Sequence, residues 1–421
     1  MSLDTLEALT RAALDGRAGV FVRFGAASSV YAALTLLWRR TLSAEASAWA
    51  QVATSLVLLS VLTSPLVSAA LVVHAVALFA VIERLPPGRA RALLIGGLLA
   101  VHAAMPVLWF PALPGYAPHV REFVAFATNA GLLRAWAWVR DRPRLRQRGI
   151  ALARDYAFYT FFLPAFVNGP FFSPAELDRR RLHSDRTSPP PAGPSGAYAL
   201  RRILTGVVEA LAAMALIDTF TSGAYRAAAS GSSLHAWRHA LAVYVCFYLG
   251  FGAWTEASIG FACLAGIRLP ENFDRPHLSY GLADFWRRWN VTLGRWMLQY
   301  IYLPLAPHGG PTRAFAWYGP AAVFSSVAAY HYLGGLKLLG PAVARLPGFW
   351  IPWIAWVALN TVGVRLTQSF RAPEQWTVRF VLVAIATVGT AALGMMVVFF
   401  PVDLPLDLLR VTIAHMVIPH W

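Results

Sequence analysis

The sequence predicts an all-α polytopic integral membrane protein, with roughly ten or eleven transmembrane helices plus interfacial or re-entrant helices in one bundle. Hydrophobic residues make up 57% of the 421 residues and charged residues only 13%, whereas a soluble domain carries about 25% charged residues. The apolar residues also come in long runs, and residues 52–82 contain no Asp, Glu, Lys or Arg. Because a bilayer core takes about 20 apolar residues per helix, these runs predict membrane spans.

Apolar runs and the breaks between them define the predicted elements. Residues 1–16 are expected to form an amphipathic helix at the membrane interface, because its leucines fall near one face. The predicted spans are 18–38, 47–64, 66–82, 92–111, 120–139, 150–168, 203–220, 240–266, 316–339, 348–366 and 378–401. Residues 17–421 are expected to form a single transmembrane domain with a polar loop over 173–200. If residues 150–168 cross the whole membrane, the arginine-rich loop 173–200 lies on the opposite side from the earlier arginine-rich loops. The alternative is that residues 150–168 form a re-entrant segment.

Charge and motif content exclude several classes of protein. The formal net charge is +16, but the arginines cluster between apolar spans, as expected for loops that face anionic lipid headgroups and the cytoplasm. No basic stripe with interleaved aromatics occurs in a soluble segment, so we expect a lipid bilayer and no nucleic acid as partner. HExxH, Walker and GxSxG patterns are absent and no metal-ligand cluster is evident. Zinc proteolysis, nucleotide hydrolysis and serine-hydrolase chemistry therefore have no support, and no metal site is expected.

Residues 281–305 depart from the pattern of an apolar span. They have helical periodicity and many aromatics, yet they include the polar residues Asp284, Arg287, Arg288, Asn290, Arg295 and Gln299. A charge at mid-bilayer costs about 2.5–3.5 kcal/mol, so this segment is expected at the interface or against a wet, protein-lined cavity. On one continuous helix Asp284 and Arg288 can pair at i,i+4, and Arg288 shares a face with Arg295. Arg287, Asn290 and Gly294 would lie on another side.

Two of the ionisable residues within predicted spans, His331 and Glu256, are candidates for chemistry. His331 lies in an apolar helix between Tyr330 and Tyr332, and an intramembrane histidine is by default a functional hypothesis. Imidazole has an unperturbed pKa of about 6.5, which suits a general base acting on a hydroxyl group. The alternative, a histidine hydrogen-bonded to a neighbouring helix, has equal weight. Glu256 could be a proton relay, but pairing with an arginine of residues 281–305 is favoured.

A dense block of aromatic, arginine and proline residues then indicates a family. The block is ENFDRPHLSYGLADFWRRWNVTLGRWMLQYIYLPL. It resembles the hallmark block of membrane-bound O-acyltransferases, approximately NFxxPYxSxSxxEFWRRWHISLSxWLRDYLYIPLGG. The best match is to the bacterial branch that acylates extracellular polymers, of the alginate O-acetylation and D-alanyl-lipoteichoic acid type. Upstream, YLGFGAWTEASIGF is similar to DFSGYSDMAIG and places Glu256 on an acidic position, and His331 falls where the family's membrane-embedded histidine is expected. The resemblance covers residues 155–335.

Two departures from the family pattern concern the acceptor. The usual WHG around the histidine is Tyr330-His331-Tyr332 here. The histidine of RWHIS in polymer-acylating members is Asn290, as in lipid- and protein-acylating relatives. These changes leave the acceptor class open.

The resemblance implies direct acyl transfer from a thioester to a hydroxyl group. His331 would take the hydroxyl proton, and Asn290 would hydrogen-bond a reacting group or orient the imidazole. Arg287, Arg288 and Arg295 would hold phosphates of coenzyme A or of a carrier's phosphopantetheine, although an interfacial anchor is favoured for Arg295. The substrate-binding positions are Arg287, Arg288, Trp286, Trp289, Tyr300 and Glu256.

The expected donor substrate is acyl-CoA or an acyl carrier thioester, with no bound cofactor. The acyl group is expected to be short, for example acetyl, and the acceptor an envelope polysaccharide, a lipid or a peptide. A multi-pass protein of the inner (cytoplasmic) membrane, with a partner in an envelope acylation complex, is expected. The alternatives are a lipid- or protein-acylating member, a secondary transporter that uses Glu256 and His331, and a non-catalytic scaffold or acyl-donor channel.

Overall fold

The structure, a computed structural model, describes residues 3–112, 118–181, 196–229, 233–308, 310, 312–339, 345, 347–371 and 378–398. Within these ranges the secondary-structure elements are helices, with one isolated antiparallel bridge between Arg181 and Ile267. The α-helices are α1 (Leu3–Thr41), α2 (Ala44–Leu62), α3 (Pro65–Arg84), α4 (Arg89–Ala112), α5 (Pro118–Asp141), α6 (Gly149–Phe161), α7 (Leu163–Phe166), α8 (Leu177–Arg180), α9 (Gly196–Ala229), α10 (Ser233–Leu264), α11 (Leu282–Arg288), α12 (Val291–Met297), α13 (Leu303–Leu305), α14 (Phe315–Leu339), α15 (Pro347–Thr367) and α16 (Val378–Val398).

Several helices are long and apolar enough to cross a bilayer. Within the described ranges these stretches are Val20–Thr41, Ala44–Leu62, Pro65–Arg84 and Ser233–Leu264. Together with the helical backbone, they confirm the prediction of an all-α polytopic membrane protein. The predicted total of ten or eleven spans stays a prediction.

Local sequence signals set the helix boundaries. Ser43 caps α2 and Ser64 caps α3, each through its hydroxyl oxygen, which accepts a hydrogen bond from a backbone N–H of the first turn. Pro65 follows Ser64 at the first position of α3, where a missing N–H costs nothing. Gly266, with φ +83°, ends α10 in the left-handed conformation that a glycine adopts freely. The predicted break between the spans 47–64 and 66–82 is therefore confirmed.

Two predicted elements differ from the structure. The predicted interfacial helix and the span after it are one continuous helix, α1, because no proline separates them and Gly16 is accommodated within the helix. The predicted span 150–168 is interrupted at Phe162, where ψ is 103° before Pro164 in the first turn of α7. Helix α6 has 13 residues, which is about 20 Å of helix and shorter than a hydrocarbon core of about 30 Å. This length favours the re-entrant alternative.

The polar loop predicted over 173–200 is shorter in the structure. Its first residues form a 3-10 turn (Pro174–Glu176) and α8, and α9 already begins at Gly196. Residues 182–195 lie outside the described residues.

The chain divides into two compact units, one formed by Met1–Gly206 with Trp254–Pro270 and the other by Val207–Ala253 with Glu271–Trp421. In the first unit, Trp138 is buried with its ring 4.9 Å from that of Tyr156. In the second unit, Phe285 is fully buried and stacks on Trp289. The single domain expected over residues 17–421 stays a prediction.

Candidate active site

Asn290 marks a sharp break in the segment that carries the family-like motif. Helix α11 ends at Arg288, Asn290 has φ 46° and ψ 53°, and α12 begins at Val291. A π-helical turn, Leu298–Tyr302, then leads into α13. The continuous helix predicted over 281–305 is therefore wrong. Because the helix is interrupted at Asn290, two predictions that depended on it are also wrong: that Arg288 and Arg295 share a face, and that Arg287, Asn290 and Gly294 lie on one side.

Backbone contacts with residues 272–274 fix this break. The N–H of Asp274 donates to the carbonyl of Arg288 (2.9 Å), and the N–H of Val291 donates to the carbonyl of Asn272 (2.8 Å). The buried side-chain oxygen of Asn272 accepts from the hydroxyl of Thr292 (2.6 Å) and from its N–H (3.3 Å). These contacts satisfy backbone groups that a helix would otherwise satisfy, and asparagine tolerates the left-handed conformation better than most residues.

The side chain of Asn290 has an unused polar atom. Its Oδ1 is buried and has no hydrogen-bond partner among the described residues. A buried amide oxygen that stays unpaired costs free energy, and such atoms occur where a ligand or water completes the site. The predicted hydrogen bond of Asn290 to a reacting group stays a prediction.

The two motif arginines have different environments. Nε of Arg288 lies 2.7 Å from the Asp284 carboxylate, which confirms the predicted i,i+4 pair, and Nη1 lies 3.7 Å from Asp274. The side chain of Arg287 is 59% exposed and meets Asp284 only at 3.7 Å. Arg287 is the more accessible cation for a phosphate, while Arg288 ties α11 to the preceding loop. Their predicted roles in substrate binding stay predictions.

His331 is half-buried on α14, with its two ring nitrogens in different situations. Nδ1 lies 2.8 Å from the carbonyl oxygen of Val327. Because a carbonyl oxygen can only accept, Nδ1 donates its proton in this contact, and Nε2 of the neutral ring keeps its lone pair. The face of the ring stacks on Trp353 with centroids 5.5 Å apart and an interplanar angle of 18°. The imidazole is therefore oriented and in the tautomer that a base acting through Nε2 requires.

Trp286 connects the motif segment to α14 and α15. Its indole N–H donates to the side-chain oxygen of buried Asn360 (2.7 Å). Its ring lies 5.6 Å from that of Phe324 on α14 and 5.5 Å from that of Trp356 on α15, edge to face in both cases. Trp286 thus forms an aromatic cluster with residues of α14, the helix that carries His331, and of α15, the helix that contacts it.

Trp289 and Tyr300 are buried in aromatic surroundings. Trp289 stacks on Phe285 and lies 5.1 Å from Phe273 edge to face, and Tyr300 lies 5.1 Å from Trp296. These contacts give both residues a packing role, and their predicted contact with substrate stays a prediction.

Glu256 forms an ion pair, but with an arginine that was not expected. Its carboxylate lies 2.6 Å from Nε of Arg202, and the two side chains are 19% and 14% exposed. Both residues belong to the first unit. The predicted structural pairing with an arginine is confirmed in kind, whereas the expected location of that arginine in 281–305 is wrong. The role of Glu256 in substrate binding stays a prediction.

Two residues of α15, Trp353 and Asn360, are not among the predicted site residues. The sequence predicts only an apolar span over 348–366, although an asparagine inside that span is a polar signal of the same kind as His331. The stacking of Trp353 gave no such signal, since tryptophan is common in spans. No group of three or more His, Cys, Asp or Glu that could hold a metal occurs in the part of the chain that was described.

The fold and the site together define a polytopic helical membrane protein that carries an oriented histidine, His331, on one of its helices. Residues 143–340 match the model of MBOAT, the membrane-bound O-acyltransferase family. This part of the chain, which includes Glu256, Asn290 and His331, is therefore similar to the membrane-bound O-acyltransferase family.

Curated relatives are bacterial proteins whose names describe O-acetyl or D-alanyl transfer. The chain is 26% identical over 241 residues to a probable alginate O-acetylase of Pseudomonas aeruginosa, covering 56% of this chain and 42% of the relative. It is 28% identical to a peptidoglycan O-acetyltransferase of Helicobacter pylori, covering 36% of this chain and 28% of the relative. It is 34% identical to a teichoic acid D-alanyltransferase of Bacillus subtilis, covering 13% and 14%. The chain spans less than half the length of these relatives.

Proposed function

We propose that this chain is a membrane-embedded O-acyltransferase that moves a short acyl group, such as acetyl, from a thioester to a hydroxyl group of an envelope polysaccharide. The single observation that carries the proposal is the geometry of His331, whose Nδ1–H is engaged by Val327 while Nε2 keeps its lone pair. The family match and the transferases among the relatives support it. The protein would act in the inner membrane as a multi-pass enzyme, with a partner in an envelope acylation complex.

In the proposed reaction, Nε2 of His331 takes the proton of the acceptor hydroxyl as its oxygen attacks the thioester carbonyl. The tetrahedral intermediate collapses, the carbon–sulfur bond breaks, and the imidazolium returns the proton to the thiolate. The products are an ester and a free thiol, so no cofactor is consumed. The amide N–H of Asn290 would donate a hydrogen bond to the thioester carbonyl oxygen as negative charge develops on it. Arg287 would hold a phosphate of coenzyme A or of phosphopantetheine.

A second candidate acceptor is a lipid or peptide hydroxyl. Asn290 favours this acceptor, because the hallmark block of polymer-acylating members has a histidine at the corresponding position. A secondary transporter is less favoured, because Arg202 neutralises Glu256 and a midplane ion site would need that carboxylate to be available.

The test is acyl transfer by purified protein in nanodiscs, with labelled acetyl-CoA or acetyl-carrier thioester and envelope extract. We expect His331→Gln to lower the rate by about 10²–10⁴-fold, the contribution of a general base. The matched control is His102→Gln, because His102 is also a histidine in a predicted span, and its Nε2 lies 3.0 Å from the backbone carbonyl oxygen of Thr128.

Each outcome has a defined meaning. An equal rate for His331→Gln and wild type would exclude His331 as the base. Absence of transfer from both donors by the wild type would refute the acyltransferase proposal. The labelled product would identify the acceptor as polysaccharide, lipid or peptide.

A further inference from the structure

Helix α15 lies outside residues 143–340, the part that matches the family, yet its side chains contact the candidate base. Trp353 covers one face of the His331 ring. Trp353 also lies 5.9 Å from Trp356 on the next turn of the same helix, ring centroid to ring centroid. Trp356 in turn packs edge to face on Phe324 of α14. The imidazole is therefore in direct contact with an aromatic array that α15 supplies.

Asn360 fixes this array by two hydrogen bonds. Its amide oxygen accepts from the indole N–H of Trp286 (2.7 Å), and its amide nitrogen donates to the backbone carbonyl of Trp356 (2.8 Å). Asn360 is buried, so losing the oxygen would leave the N–H of Trp286 without an acceptor in an apolar environment. One amide thus joins the motif segment, through Trp286, to the helix that stacks on the base.

We propose that Trp353 is a positioning residue for His331 and that Asn360 anchors the aromatic array that holds Trp353 in place. The inference rests on the proposed function and adds residues that the family match does not cover. Val327 restrains the ring through Nδ1 and Trp353 restrains its plane, so together they fix the direction in which Nε2 points.

The indole also affects the charge that forms during the reaction. When Nε2 takes a proton, the imidazolium faces the π-electrons of Trp353, and a cation in contact with an indole face is stabilised. The ring thereby favours the protonated base without placing a carboxylate beside it. A leucine at this position fills space but offers no π-system, and a phenylalanine offers a smaller one.

The experiment compares Trp353→Leu, Trp353→Phe and a matched control in nanodiscs. The control is Trp350→Leu, because Trp350 is on the same helix and its side chain is 40% exposed. We expect Trp353→Leu to lower kcat about 5- to 30-fold with KM unchanged. On a logarithmic scale, the loss of kcat in Trp353→Phe should be less than half of the loss in Trp353→Leu. Trp350→Leu should have the kcat of the wild type. A purely structural role would reduce the amount of folded protein and leave kcat per folded enzyme unchanged.

A second arm tests the coupling through Asn360. Asn360→Leu should lower kcat in the wild-type background, because the N–H of Trp286 loses its acceptor. In the Trp286→Phe background, which has no such N–H, the same change should cost much less. Equal losses in both backgrounds would overturn the role of Asn360.

A third arm does not need enzymatic activity. Diethyl pyrocarbonate labels an accessible imidazole nitrogen, and mass spectrometry follows the label on His331. We expect faster labelling of His331 in Trp353→Leu and unchanged labelling in Trp350→Leu, because only the first change uncovers a ring face. If the wild type transferred no acyl group, this measurement would still test whether Trp353 covers the ring of His331. Unchanged labelling in Trp353→Leu, or a loss of rate through KM alone, would overturn the inference.

Discussion

Replacing Asn290 by glycine and by alanine separates its backbone conformation from its side-chain chemistry. Asn290 has φ 46° and ψ 53°, where glycine is unstrained and an ordinary L-residue pays about 1–2 kcal/mol. Both variants lose the amide whose Oδ1 is buried without a partner in the described structure. We therefore expect Asn290→Ala to unfold more readily than Asn290→Gly by about 1 kcal/mol.

The rates of the two variants should fall together. If the amide hydrogen-bonds a reacting group, its loss costs about 10²–10³-fold in kcat, as for other groups placed in a dry active site. The assay is the initial rate of acetyl transfer per folded protein, with thermal unfolding in detergent measured on the same samples. A wild-type rate for Asn290→Gly would refute the chemical role of the amide. Equal stability of the two variants would refute the account of the backbone.

Two further predictions concern buried contacts of the first unit. Glu256→Gln removes the carboxylate that lies 2.6 Å from Nε of the largely buried Arg202, so we expect a loss of about 3–5 kcal/mol of stability. The double change with Arg202→Gln should be less harmful than the single one in a thermal unfolding assay, and the reverse order would contradict the ion pair. Gly266→Ala adds a methyl group that meets the guanidinium of Arg39 at a positive φ, so its melting temperature should fall, whereas Gly88→Ala, which meets nothing within 4 Å, should match the wild type.

Much of the fold followed from local sequence signals. The apolar runs gave the helical membrane class, Pro65 gave a helix start, and the spacing of Asp284 and Arg288 gave their ion pair. Each of these depends on residues within one or two turns of one another, where periodicity and propensity are informative. His331 was predicted as a candidate from two signals: it is a histidine in an apolar span, and it falls where the family's histidine is expected.

The details of the site needed contacts between residues far apart in sequence. The sequence of residues 281–305 alone does not predict the break at Asn290. The hydrogen bonds that replace the helical ones come from the backbone of residues 272–274, which lies outside that segment. Glu256 was expected to pair with that segment, but Arg202 lies beside it on α9. Which arginine is nearest depends on how helices pack, and a single sequence does not determine that packing. The same holds for Trp353 and Asn360 on α15.

The short helices of the motif segment have a consequence for how the protein is made. Helices α11 and α12 have 7 residues each, about 10 Å apiece, whereas a span that the insertion machinery accepts has about 20 apolar residues. The segment therefore cannot enter the bilayer as an independent unit during synthesis. Its N-terminal end is held by α15, where the hydroxyl of Thr367 accepts from the N–H of Ala283 (3.0 Å). Thr367 leaves the ribosome more than 80 residues later, so the candidate site is completed only after α15 has been synthesised and inserted.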